Sequence, residues 1–105
     1  MPSTATPTVR PPAVEAAELR SLAARIGAAL EQASDCATAY TYMAEEATDP
    51  ALVARWADEA AAYNETATAL RSELAEVRTL QDQLTARVVA SARRQGFPIP
   101  ARLAG

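Results

Sequence analysis

Residues 50–94, PALVARWADEAAAYNETATALRSELAEVRTLQDQLTARVVASARR, decide the fold. Apolar positions recur here every seven residues in two rows. One row is Trp56, Tyr63, Leu70, Val77 and Leu84. The other is Val53, Ala60, Ala67, Leu74, Gln81 and Val88. The rows alternate at spacings of three and four, the pattern of a long helix that packs along a seam. No glycine interrupts the chain between Gly27 and Gly96, so the middle lacks the turn residues a sheet requires. The expected class is all-α.

Upstream, 13–47 reads as a second long helix with its own heptad. Row a is Leu19, Ile26, Ala33, Tyr40 and Ala47, and row d is Leu22, Ala29, Cys36 and Met43. Row e (Ala23, Leu30, Ala37, Ala44) is apolar as well. A stripe that wide predicts contact with more than one neighbour. Between the helices stands Thr48-Asp49-Pro50. Proline disfavours helical geometry in the residue before it, aspartate is a good N-cap, and proline is at home in the first helical position. A connection this short predicts an antiparallel helical hairpin. Its facing pairs set Trp56 at the level of Tyr40, Tyr63 opposite Ala33, Leu70 against Ile26, Leu74 against Leu22 and Val77 against Leu19. Large side chains would then meet small ones near the turn. The longer second helix is expected to overhang from Leu84 onward, carrying Val88 and Val89. Residues 1–12, rich in proline and threonine, are expected to be disordered. Residues 96–105 are expected to be extended, with Gly96 as the residue that ends the helix.

Apolar residues make up 50% of the 105, yet much of that is alanine and only 5% is aromatic. Alanine favours helix and supplies little buried area. The hairpin alone would therefore be marginal. The expected remedy is completion to a four-helix or larger bundle, by self-association or by a helical partner. The expected contact residues are Leu19, Leu22, Ile26, Leu30, Tyr42, Trp56, Tyr63, Leu70, Leu74, Val77, Leu84, Val88 and Val89. Gln81, polar within a seam row, resembles residues that fix register.

Charge is unevenly placed. Residues 31–66 hold eight acids against Arg55 alone, a balance of −7, while the remainder holds nine arginines against five acids, a balance of +4. Glu45, Glu46, Asp49, Asp58 and Glu59 form an acidic tip at the turn. Arg87, Arg93, Arg94 and Arg102 form a basic open end. Oppositely charged ends would permit salt-sensitive head-to-tail stacking. All basic residues are arginine, which fits codon bias in a GC-rich bacterial genome.

No constellation carries chemistry. With no histidine, the commonest general base and metal ligand is missing. Cys36 has no activating base beside it in the heptad. No EF-hand spacing organises the acids. The expectation is a non-enzymatic protein with no cofactor, metal or small-molecule substrate, acting by association as a structural subunit, adaptor, assembly factor or inhibitor. Nucleic acid at the arginine end is a lesser alternative, since no aromatic residues are interleaved there. No run of 18 apolar residues exists to span a membrane. The N-terminus has no signal-peptide pattern, so the expected location is cytoplasmic, with non-classical secretion left open.

The size and helix–turn–helix outline resemble the small secreted hairpins of type VII (ESX) secretion. Those carry a Trp-x-Gly turn and a Tyr-x-x-x-Asp/Glu signal after the second helix. Here the turn reads Thr48-Asp49-Pro50, and Trp56 is followed by Ala57-Asp58. Tyr42 and Glu46 have the spacing of the signal but end the first helix. The resemblance covers the outline and not the motifs. It implies, as an alternative, a secreted hairpin or its partner.

Overall fold

The computed structural model describes residues 10–104; the first nine residues of the expected N-terminal tail lie outside the described residues. Two long helices fill most of the chain: α1, Pro12–Glu46, and α2, Pro50–Arg94. A single helical turn, α3, Ala101–Ala104, follows. The fold is an all-α helical hairpin.

Local chemistry sets each boundary. Pro12 opens α1, and the Pro11 carbonyl accepts the Val14 and Glu15 amides. α1 ends at Ala47, whose extended backbone turns the chain. At Asp49 the side chain accepts the Ala51 amide at 3.0 Å, capping α2, and Pro50 takes the first helical position. Arg93 and Arg94 sit in the last turn of α2, where the helix dipole favours cations. Gly96 adopts φ +75, the Gly96 amide bonds to the Arg93 carbonyl, and the Phe97 amide bonds to the Ala92 carbonyl at 2.9 Å. That is a Schellman closure, which glycine makes without steric cost. The C-terminal tail departs from the extended form expected. After Pro98 and Pro100, Ala-Arg-Leu-Ala are good helix formers and wind one turn that lies against α2.

The seam is alanine-rich and shallow. Its buried positions are Ile26, Ala33 and Ala37 on α1, with Ala60, Ala67, Val77 and Leu84 on α2. On α2 the two seven-residue rows face α1 along their length, apart from Val88, which is 39% exposed. On α1 the partner of row a is row e. Ala23, Leu30, Ala37 and Ala44 are buried or half-buried, whereas Leu22, Ala29 and Met43 of row d are exposed. Both rows flank row a and both are apolar, so periodicity cannot choose between them. Packing chose the row of small side chains, which lets the helices approach closely.

Leu84 does not overhang. It is 6% exposed, covered where Pro12 and Glu15 reach it across the open end. Val89, off both seam rows, is buried as well.

The molecule is one helix layer thick, with a least dimension of 14 Å. Its radius of gyration is 22.0 Å, against about 13 Å for a compact chain of this length. Its accessible surface is 7875 Å², where a compact monomer of this mass would expose about 5,700 Å².

Candidate interaction surface

Three aromatic rings clasp the hairpin near the turn. Tyr40 stacks on Trp56, with centroids 5.5 Å apart and planes at 26°, and on Tyr63, with centroids 5.6 Å apart and planes at 10°. Here large meets large, contrary to the alternation expected. The reason is geometric. Trp56 and Tyr63 are one heptad apart, a rise of about 10.5 Å, and a single ring from α1 fills that gap. The Arg55 guanidinium lies 5.2 Å from the centre of the Trp56 ring, a cation–π contact. The Tyr63 hydroxyl is pushed above its ordinary range, first by the charge Cys36 can carry, then by Tyr40, with burial and Glu59 adding to it.

These contacts identify the two faces of the hairpin. Cys36 and Glu59 both neighbour Tyr63, and Glu15 pairs with Arg87 at 3.0 Å. Glu15 and Cys36 belong to the α1 row 15, 22, 29, 36, 43. Glu59 and Arg87 belong to the α2 row 52, 59, 66, 73, 80, 87. The two rows therefore border the same face, one on each helix. Leu22 (37% exposed), Met43 (40%), Leu52 (40%) and Leu80 (48%) all stand on them. The opposite face is bordered by Arg20, Gly27, Ser34 and Thr41 on α1 and by Asn64, Arg71, Arg78 and Thr85 on α2; its open grooves are lined by Thr41, Glu45 and Asn64 together with Tyr42, Val53 and alanines of the seam. None of its border residues is a large apolar side chain. Four exposed large apolar side chains thus border one face, interspersed with Glu15, Glu59, Glu73 and Arg87, and none borders the other.

Of the other expected contact residues, Ile26, Val77 and Leu84 are buried in the seam, and Leu19, Leu30, Trp56, Tyr63, Leu70 and Leu74 are half-buried along it. Tyr42 is 63% exposed and stands off both bordering rows. Gln81 is half-buried at the seam edge.

The acidic tip is solvated: Glu45, Glu46, Asp49, Asp58 and Glu59 are all exposed. Among the described residues no group of three or more potential metal-ligating side chains converges. At the other end Arg87 is held by Glu15, and Arg93, Arg94 and Arg102 are exposed. Arg10 pairs with Glu18 just outside α1. Among the described residues no helix is long and apolar enough to cross a membrane. Sequence reasoning placed Leu22 and Met43 in the seam row of α1 and did not single out Leu52 or Leu80. Their common signal is a seven-residue spacing in phase with the flank of each helix.

No family model, curated protein or solved structure matches the chain.

Proposed function

We propose that the protein works by association, docking its hairpin onto other helices as a structural subunit, adaptor, assembly factor or inhibitor. One observation carries this reading: Leu22, Met43, Leu52 and Leu80 are exposed together on one face, while the border of the other face is polar. Two exposed apolar pairs on one face of a one-layer protein, Met43 with Leu52 toward the turn and Leu22 with Leu80 toward the open end, are characteristic of an interaction surface. The long parallel grooves of a helix pair suit further helices, which pack by the same ridges. The test is the native mass of the complex recovered from the protein's own cells through a tagged chain. A mass above that of the single chain, lost when Leu22 and Leu80 are both replaced by Glu, supports the reading. A folded, solitary chain overturns it.

A further inference from the structure

We propose that Arg20, Arg71 and Arg78 form a docking site for an acidic helix of a partner protein, on the face of the hairpin opposite the exposed leucines. The site lies apart from the apolar face and goes beyond the association reading.

The register of the hairpin brings the three together. Thr41 and Asn64 line a groove near the turn, and Ala13 and Thr85 line another at the open end. The seven-residue rows through these four residues border one face. Between the two grooves those rows carry Arg20, Gly27 and Ser34 on α1 and Arg71 and Arg78 on α2. The Glu15–Arg87 pair and the stacking of Tyr40 on Trp56 and Tyr63 fix the levels. By that register Arg20 and Arg78 stand across the seam from each other, within about one helical turn. Arg71 stands one heptad nearer the bend, about 10.5 Å along α2.

All three arginines are exposed. Among the described residues the ion pairs are Arg10 with Glu18 and Arg87 with Glu15, so none of the three has a carboxylate within 4.0 Å. The border rows of this face hold no acid, although the chain carries a net charge of −3. Like charges across a seam oppose its closure, and a bound carboxylate reverses that. Guanidinium groups receive carboxylates in a bidentate fork.

The surroundings select a helix as the occupant. Ala24, Gly27 and Ala75 beside the arginines are small, and a Cβ added at Gly27 would meet nothing within 4 Å. A helix can therefore lie along the seam with its carboxylates underneath. Two acids seven residues apart on it match the spacing of Arg71 and Arg78, and a third on the adjoining row reaches Arg20. Farther out on the same face stand Glu31 and Glu45 on α1 and Asp82 on α2, all exposed. They repel a phosphate polymer running along the face and suit basic residues on the edges of a docked helix. The occupant is thus a helix with an acidic underside and basic edges.

The probe is a fluorescein-labelled peptide of about 21 residues, alanine-rich, with glutamate at heptad positions a and d and lysine at e and g. Its binding to the purified full-length chain is followed by anisotropy at low salt. Binding is expected, weakening as salt is raised. Replacing Arg20, Arg71 and Arg78 together by Gln should weaken it about tenfold, since each exposed ion pair contributes a few-fold. Arg25→Gln, on the other side of α1, should leave it unchanged, as should Leu22→Glu with Leu80→Glu. Circular dichroism checks helicity; should the triple variant lose it, Arg71→Gln alone should weaken binding about twofold to threefold. No binding, equal binding of a peptide with Glu and Lys exchanged, indifference to the arginine variants, loss on the leucine variants, or tighter binding of a short DNA duplex overturns the proposal. Because the apolar face takes no part, that failure leaves the association reading standing, and a chain solitary in its cells can still bind the peptide.

Discussion

Replacing Tyr40 by alanine tests whether the ring clasp holds the hairpin shut. Tyr40 touches both Trp56 and Tyr63, so its loss opens two stacked contacts at once. A fully buried aromatic replaced by alanine costs about 3–5 kcal/mol. Tyr40 is half-buried, so burial alone accounts for about 2 kcal/mol. The stacked geometry adds about 0.5 kcal/mol or more for each pair. The expected cost is about 2–3 kcal/mol, which for a chain of this length lowers Tm by about 10 °C. Tyr40→Phe keeps the ring and discards a hydroxyl that makes no hydrogen bond among the described residues, so it should lower Tm by about 2 °C or less. Thermal unfolding followed at 222 nm, at one protein concentration for all variants, measures both. Trp56 fluorescence reports on the clasp directly. The reasoning fails if Tyr40→Ala shifts Tm by less than about 3 °C, or if Tyr40→Phe is as damaging as Tyr40→Ala.

The two glycines within and beside the long helices should respond with opposite signs. Gly27 lies inside α1, and a Cβ added there would meet nothing within 4 Å, so Gly27→Ala should stabilise by about 0.5–1 kcal/mol in urea denaturation. Gly96 has equal room but φ +75, so Gly96→Ala should cost about 1 kcal/mol and loosen the end of α2, visible in amide exchange of Arg93 and Arg94. Asp49→Ala removes the cap on Ala51 and should destabilise by about 1 kcal/mol, with Asp49→Asn retaining most of it. The raised Tyr63 ionisation makes stability pH-dependent on the alkaline side. The neutral phenol is favoured in the folded chain, so this contribution is intact below the ordinary tyrosine value of 10.0 and is lost as pH climbs through the folded value. Cys36→Ala removes the largest cause, and absorbance titration at 295 nm should then show Tyr63 ionising at lower pH.

The hairpin was legible because its signals agree at several levels. Asp49-Pro50 combines a cap with a first-turn proline, and the heptads on either side hold their phase without interruption. Row choice on α1 was not legible, because Leu22 and Ala23 are neighbours in sequence and both apolar. Only the close approach allowed by Ala33, Ala37, Ala60 and Ala67 settles which row turns inward. The stacking of Tyr40 between Trp56 and Tyr63 was also missed. Pairing by level treats each residue as having one opposite number, whereas a ring projecting between two levels contacts both. For the same reason the apolar face could not be read from the chain: it is defined by two rows on different helices, whose pairs stand 9 (Met43, Leu52) and 58 (Leu22, Leu80) positions apart and are joined only by the register of the fold.

The single short connection at Asp49 has a kinetic corollary. Once α1 and α2 meet beside the bend, each later cross-helix contact closes almost no additional loop, so the order of assembly should resemble a zip fastener drawn from the bend. The Tyr40, Trp56 and Tyr63 rings stand near the start of that track. The far end, where Glu15 reaches Arg87, is the last to close and the first to part. Amide protection in the resting protein should accordingly fade along both rods with distance from the bend.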